Sequence, residues 1–155
     1  MECVFCDPLV LKKETFYGDG YFSALYNIRP AVKGHCLIVP ARHIESLLEM
    51  NEEERKGLVS FLNRAVFLAL RYSGANDFDI LLQKGENAGQ SIKHLHFHVL
   101  PRKRNDSLAV SKKEFMHSFA EKEESVKPLT PEEIDGIVGE LRGIAEKHRL
   151  QINEM

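Results

Sequence analysis

The most constraining feature of the chain is a short segment, residues 93–100, in which histidine alternates with apolar residues. Side chains alternate between the two faces of a β-strand, so the pattern predicts a strand that Pro101 ends. One face would carry three imidazoles along an open surface, those of His94, His96 and His98. The other face would pack on a core through Leu95, Phe97 and Val99.

The flanking sequence predicts further strands and two helices. Strands are expected at residues 20–27, 35–39 and 77–83, with a turn at 27–34 and a glycine-containing loop at 84–90. A long helix is expected to begin after Asn51, where Glu54 completes a capping box, and to end at Gly74. A second helix is expected to begin at Thr130-Pro131.

This order of elements predicts an α+β fold with a mostly antiparallel sheet, one long helix and a C-terminal helix. The length of 155 residues suits a single domain over residues 1–155, with a core at about 1–107. The extension 108–155 is expected to be partly helical. Within it and just before it, the charged stretch 102–127 is expected to be mobile or only partly helical.

Composition excludes several classes of function. A net charge of −2 gives no general attraction to nucleic acid or to an anionic membrane. The longest apolar run, residues 65–70, is far below the roughly 20 residues that cross a bilayer. Three cysteines, an odd number, together with no signal-peptide pattern in residues 1–7, indicate a cytoplasmic protein without a disulfide framework.

Three histidines on one face leave three interpretations open: a solvated polar surface, a three-histidine metal site, or nucleophilic and acid–base chemistry. The neighbouring residues favour the third, acting on a phosphorylated substrate. Gly89-Gln90-Ser91 precedes the segment and can bring backbone N–H donors close to an anion. Arg102-Lys103 follows the segment and adds positive charge.

Residues 94–100, His-Leu-His-Phe-His-Val-Leu, match the signature of the histidine triad (HIT) superfamily, and the chain is similar to its Fhit-like branch of dinucleoside polyphosphate hydrolases. The resemblance runs from about residue 20 to residue 107. It implies a HIT-like fold, a homodimer, and cleavage of Ap3A- or Ap4A-like substrates at the α-phosphorus through a nucleotidyl-histidine intermediate. An Ap4A phosphorylase, an adenosine phosphoramidase and a nucleotide-binding signalling protein with slow turnover remain alternatives.

The resemblance also implies roles for individual residues. His96 would be the nucleophile, held by the backbone carbonyl of His94, while His98 would bind phosphate oxygens and His35 would support the triad. Asn27 would hold the ribose, with a simple Asx turn as the alternative. Gln83 would lie near the phosphates, with an ordinary exposed strand residue as the alternative. The other substrate-binding residues that it implies are Gly89, Gln90, Ser91 and Ile92.

The pair in Cys3-Val4-Phe5-Cys6 resembles half of the structural zinc site of several HIT proteins, although the Fhit-like branch lacks it. The resemblance implies a Zn²⁺ site formed by Cys3, Cys6, His43 and His94. A redox pair and two unrelated thiols are the alternatives. Mg²⁺ bound with the substrate is a further expectation, because a divalent cation would neutralise the polyphosphate leaving group. The loop after Ser107 lacks the tyrosine of the Fhit-like branch, which leaves the role of that loop open.

Overall fold

Five strands form one antiparallel sheet in the computed structural model, which describes residues 3–155. The strands are β1 (Thr15–Gly18), β2 (Phe22–Tyr26), β3 (Cys36–Pro40), β4 (Asp77–Leu82) and β5 (Phe97–Arg102). They lie in the order β1-β2-β3-β5-β4, and each neighbouring pair is antiparallel. The predicted α+β fold with an antiparallel sheet is confirmed.

Within residues 3–155, five α-helices accompany the sheet: α1 (Pro8–Glu14), α2 (Glu52–Ser73), α3 (Lys112–Ser125), α4 (Pro131–Lys147) and α5 (Arg149–Asn153). The two predicted capping boxes begin α2 and α4. At α2, the side chain of Asn51 accepts from the N–H of Glu54 at 2.9 Å, and the carboxylate of Glu54 accepts from the N–H of Asn51 at 2.8 Å. No helix within residues 3–155 combines the length and the apolar character that a bilayer span requires.

The main core lies between one face of the sheet and helices α2 and α4. It contains Phe22, Ile38 and Val99 from the strands and Phe61 from α2, all almost fully buried. Ile134, Val138 and Leu141, on the predicted apolar stripe of α4, complete this core. Burying this surface holds the sheet in place as the platform of the site.

The opposite face of the central strands is also covered. Phe5 packs there with Leu25, Leu37 and Val39. Phe119, from α3, packs with Leu100 and Leu108 a short distance away. The sheet therefore has an apolar layer on both faces, and the second layer flanks the histidines.

Strand β5 differs from the prediction at both ends. It begins at Phe97, because the chain before it leaves the sheet, where the N–H of Leu95 donates to the carbonyl of Ile44 at 2.6 Å. It continues through Pro101, which is paired with Phe78 of β4. β3 pairs with β5 only as far as Val99, so the missing N–H of the proline breaks no ladder bond on the β3 side.

Gly34 closes the turn between β2 and β3. Its φ is +89°, and a Cβ atom there would lie 2.9 Å from Cγ of Pro101 and 3.1 Å from the carbonyl oxygen of Ala69. A side chain fits neither the backbone conformation nor the space. The glycine thus sets the close approach of this turn to α2 and β5, and the turn brings Asn27 beside His35.

Candidate active site and metal centre

The three histidines of the signature are buried rather than spread along an open surface. The exposed fractions are 0% for His94, 5% for His96 and 5% for His98, so the prediction of an open histidine face is wrong. The second apolar layer, which the sequence pattern does not predict, covers the histidines. On one side, the ring of Phe5 lies 5.4 Å from that of His96. On the other side, the ring of Phe119 lies 5.2 Å from that of His98.

The imidazole of His96 is held in one tautomer by the backbone. Its Nδ1 lies 2.7 Å from the carbonyl oxygen of His94. A carbonyl oxygen only accepts, so Nδ1 donates and Nε2 of the neutral ring keeps its lone pair. Burial lowers the pKa of His96 even though this hydrogen bond acts in the other direction, which favours the neutral ring. A neutral imidazole with one free ring nitrogen can act as a nucleophile.

A chain of hydrogen bonds fixes the tautomer of His98 as well. The N–H of Ala31 donates to Nδ1 of His35 at 3.1 Å, so the hydrogen of neutral His35 lies on Nε2. That Nε2 donates in turn to Nδ1 of His98 at 3.0 Å. The hydrogen of His98 then lies on its own Nε2, where it can be donated to a phosphate oxygen.

Burial also sets the protonation of this pair. His35 is completely buried, and desolvation, reinforced by the neighbouring His98, lowers its pKa well below the usual value. Desolvation, followed by the effect of His96, lowers the pKa of His98 to about 3. The triad is therefore a row of neutral donors and acceptors at neutral pH.

A cavity of about 610 Å³ opens beside His96 and His98, a volume in the range of small-ligand sites. Besides His98, five of the predicted substrate-binding residues line it: Asn27, Gln83, Gly89, Ser91 and Ile92. Gln90 does not. Its Oε1 accepts from the N–H of Gly85 at 2.8 Å, and its Nε2 donates to the carbonyl of His94 at 3.5 Å. Contact of Gln90 with phosphate stays a prediction.

Two of the lining residues also have local structural roles. Oδ1 of Asn27 accepts from the N–H of Arg29 at 2.8 Å, which is the Asx turn considered as an alternative. Its amide nitrogen lies 3.2 Å from Nε2 of His35, so the turn aims this side chain toward the triad. Gln83 donates to the carbonyl of Ala88 at 2.5 Å and fastens the loop that precedes the histidines. Contacts of both residues with substrate stay predictions.

Arg102, which was expected to add positive charge beside the site, does not face the cavity. Arg102 forms ion pairs with Asp79 at 2.6 Å and Asp106 at 2.7 Å and is absent from the cavity lining. Its guanidinium is occupied by these two carboxylates. Asp79 belongs to β4, and Asp106 lies in the turn that follows β5. The expectation that Arg102 forms an anion site is wrong, and Arg29 is the basic residue that lines the cavity.

The four predicted zinc ligands, Cys3, Cys6, His43 and His94, come together, with one ligand atom of each within 4.8 Å of the others. Sγ of Cys3 lies 3.3 Å from Nδ1 of His94, and Sγ of Cys6 lies 3.3 Å from Nδ1 of His43. Adjacent ligand atoms in a tetrahedral sulfur–nitrogen site lie about 3.5 Å apart. Nε2 of His94 donates to the carbonyl of Pro40 at 3.0 Å, which leaves the Nδ1 lone pair facing the sulfurs. These residues can hold one metal ion.

Helix α3 contributes a wall of the cavity that sequence reasoning missed. Its lining residues are Met116, Phe119, Ala120, Glu123 and Glu124. They share one helical face, since they follow i, i+3, i+4, i+7 spacing. This spacing is the signal that could have located the helix within the stretch 102–127, which was expected to be mobile or only partly helical. Glu14, at the end of α1, also lines the cavity and was not singled out.

A model of the HIT domain family matches residues 9–105, and the chain belongs to that family. A bis(5'-adenosyl)-triphosphatase of Dictyostelium discoideum is 28% identical over 141 residues, which is 91% of each chain. The predictions of a HIT protein and of a HIT-family hydrolase are both confirmed.

Two solved structures share the fold. The Plasmodium falciparum diadenosine triphosphate hydrolase is similar with a TM-score of 0.71 and 21% identity, over 88% of this chain and 78% of that chain. A Zn-bound histidine triad family protein from Mycobacterium smegmatis is similar with a TM-score of 0.60 and 24% identity, over 93% of this chain and 98% of that chain.

Proposed function

We propose that the protein hydrolyses dinucleoside polyphosphates of the Ap3A or Ap4A type at the α-phosphorus, through a nucleotidyl intermediate on His96. The observation that carries the proposal is the tautomer of His96. Nδ1 is committed to the carbonyl of His94, and the free Nε2 belongs to a ring that lines a cavity of about 610 Å³. The names of the relatives, a bis(5'-adenosyl)-triphosphatase among them, support this substrate class.

The reaction would proceed in two displacements. Nε2 of His96 attacks the α-phosphorus, and the bond from that phosphorus to the bridging oxygen breaks, so that ADP leaves Ap3A as an anion. The new imidazolium keeps its Nδ1–H on the carbonyl of His94, which stabilises the positive charge. Water then attacks phosphorus, the P–N bond breaks, AMP forms, and one proton of the water is released.

His98 and the loop before the triad would stabilise the charge that develops on phosphate. Nε2–H of His98 can donate to a non-bridging oxygen, since Nδ1 is occupied by His35. Gly89, Ser91 and Ile92 line the same cavity. The N–H of Gly89 donates to the carbonyl of Glu86 at 3.0 Å, so the hydroxyl of Ser91 and the N–H groups of Ser91 and Ile92 would be the donors to phosphate. Asn27 would hold the ribose from the opposite side.

An adenosine phosphoramidase activity is the second candidate, because acidic side chains outnumber basic ones in the cavity lining. Three glutamates, Glu14, Glu123 and Glu124, line the cavity together with one arginine, Arg29. In their ionised form these carboxylates disfavour a polyphosphate leaving group and favour an ammonium one. Burial raises the pKa of Glu14 and that of Glu123, which reduces this effect near neutral pH. Mg²⁺ bound with a polyphosphate would offset this repulsion, so the hydrolase proposal includes a requirement for Mg²⁺.

Product analysis separates the candidates. We expect Ap3A to give AMP and ADP, and Ap4A to give AMP and ATP, with no change on adding inorganic phosphate. A phosphorylase would instead require phosphate. A phosphoramidase would cleave an AMP–amine conjugate faster than either dinucleotide, and a signalling protein would bind Ap3A tightly with hardly any turnover. His96→Ala is expected to abolish all of the cleavage activities.

The metal centre is proposed to hold Zn²⁺ as a structural ion. Two thiolates and two imidazoles, at the separations found here, fit tetrahedral zinc and leave no open position for a substrate. The cysteines are all free, which a metal site requires and which suits a reducing compartment such as the cytoplasm.

A homodimer is proposed through β4. This strand is at the edge of the sheet, and its outward residues Phe78 and Ile80 are 46% and 42% exposed. An apolar edge strand is suited to pairing with a second copy. Size-exclusion chromatography with light scattering would test this, with Ile80→Lys expected to give monomers.

A further inference from the structure

We propose that Phe119 of α3 is a positioning residue for His98, so that the helix after the family-matched segment completes the active site. The matched segment ends at residue 105, and α3 begins at Lys112. The inference rests on the proposed function for its kinetic readout, but its spectroscopic readout does not.

The contacts of Phe119 are with the two histidines that fix the phosphate donor. Its ring lies edge-on to that of His98, with centroids 5.2 Å apart and an interplanar angle of 84°. It also lies 5.9 Å from the ring of His35. Phe119 is 1% exposed, so it closes the side of this histidine pair that α3 faces. Without the ring, His98 could rotate away from Nε2 of His35, and water could compete for its Nδ1.

Phe119 is itself held by a column of contacts that leads back to the sheet. The ring of Phe115 is stacked on it, with centroids 6.1 Å apart and an angle of 2°. The guanidinium of Arg102 lies 5.5 Å from the centroid of Phe115. Arg102 is fixed by Asp79 and Asp106, and it also donates to the carbonyls of Leu108 and Ala109 in the segment leading to α3.

This column of contacts explains the positions of Arg102 and Ser118, which have no role in the proposed nucleotide chemistry. Arg102 follows the triad but points away from the cavity, where it anchors the start of the C-terminal extension. Ser118 adds a second anchor, since its hydroxyl accepts from the N–H of Ala109 at 3.1 Å. The extension is thereby tied to β5, the strand that carries His98, and Phe119 is placed against the imidazole.

The test compares Phe119→Leu and Phe119→Ala with Phe61→Leu. Phe61 is a fully buried ring of the main core whose ring partners are Tyr17 and Phe22, so its loss matches the cost of removing a buried phenyl group without touching a histidine. We expect about a tenfold lower kcat on Ap3A for Phe119→Leu and a KM within about threefold of the wild type, because a misdirected donor weakens transition-state binding most. Phe61→Leu is expected to keep the kcat of the wild type.

Imidazole ¹H–¹⁵N spectra give the readout that a purely structural role would not move. In the wild type, His98 is expected as the Nε2–H tautomer, and in both Phe119 variants as a mixture of tautomers. Phe119→Leu keeps an apolar side chain and removes less volume than Phe119→Ala, so it stays informative if Phe119→Ala does not fold. The inference is overturned if His98 remains the Nε2–H tautomer in Phe119→Leu, or if Phe61→Leu loses kcat equally. Absence of Ap3A turnover in the wild type would refute the proposed function. The imidazole spectra would then test the role of Phe119 on their own.

Discussion

The carbonyl oxygen of His94 lies 2.7 Å from Nδ1 of His96, while the ring of the same His94 lies 3.3 Å from Sγ of Cys3. One residue therefore belongs to the candidate metal centre through its side chain and to the candidate nucleophile through its backbone. A change at the metal centre should reach the active site through this peptide unit, and also through Phe5, which lies between the two cysteines and packs 5.4 Å from the ring of His96.

Cys6→Ser is therefore expected to reduce both bound zinc and catalysis. The variant should retain well under one zinc per chain and lose roughly tenfold to a hundredfold in kcat, because His94 loses the ion that orients it. Metal analysis and Ap3A turnover measure the two effects. Cys36→Ala, which removes a buried thiol that is not part of the four-ligand cluster, should keep both zinc and activity. Full activity in a zinc-free Cys6→Ser protein would contradict the coupling.

The buried His98 should make the fold acid-sensitive. Its pKa is lowered to about 3, whereas an unfolded histidine titrates near 6.5. Between these values the unfolded chain binds the extra proton, so stability falls as the pH falls, by about 1.4 kcal/mol per pH unit for one such group. Denaturant unfolding at pH 7, 6 and 5 should show a shallower loss for His98→Asn than for the wild type.

The surface variant His117→Asn serves as the control for this series, because that side chain is exposed. It should follow the wild-type pH dependence. An unchanged slope in His98→Asn would mean that His98 is not a buried neutral imidazole in the folded protein.

Glu14 should have the opposite dependence on pH. Burial raises the pKa of its carboxyl to about 7, above the ordinary value of 4.5. The unfolded chain loses this proton first, so the group costs stability as the pH rises from about 4.5 to 7, and the full cost persists above that. Glu14→Gln should raise Tm at pH 8 and leave it unchanged at pH 4.5. Glu121→Gln, at an exposed position, should raise it at neither pH; an equal rise in both variants would argue against a shifted Glu14.

Gly34→Ala should destabilise the protein by about 2–4 kcal/mol, since the added Cβ meets both a positive φ and Cγ of Pro101 at 2.9 Å. Gly57→Ala is the matched control: nothing lies within 4 Å of its Cβ position inside α2, and a gain of about 0.5–1 kcal/mol is expected. Urea unfolding measures both. A neutral Gly34→Ala would show that the turn between β2 and β3 is able to relax.

Sequence patterns predicted the structure correctly where it depends only on residues close together in the chain. The capping boxes at Asn51 and Thr130 are such cases, because both hydrogen-bonding partners lie within three residues. The strand start at Phe97 and the burial of the histidines could not be predicted this way. They depend on Ile44, Phe5 and Phe119, which are far away in sequence.

In the candidate site, too, some residues were predicted from the sequence and others were not. The zinc ligands and triad were predicted through family resemblance, and the structure brings the four proposed ligands together. The role of Arg102 was mispredicted although one charge partner, Asp106, lies only four residues away; the other, Asp79, lies 23 residues earlier on the neighbouring strand. The wall formed by α3 lies in a stretch whose high charge masks the apolar spacing of Met116, Phe119 and Ala120.

Trapping the intermediate tests the central claim most directly. The wild-type protein is mixed with Ap3A, quenched in alkali and digested, and the peptide that contains residues 94–98 is analysed by mass spectrometry with fragmentation. A nucleotidyl adduct on His96, absent in His96→Ala, is the result the account predicts. Turnover of Ap3A by the His96→Ala protein at the wild-type rate, or an adduct that maps to His94 or His98, would contradict it.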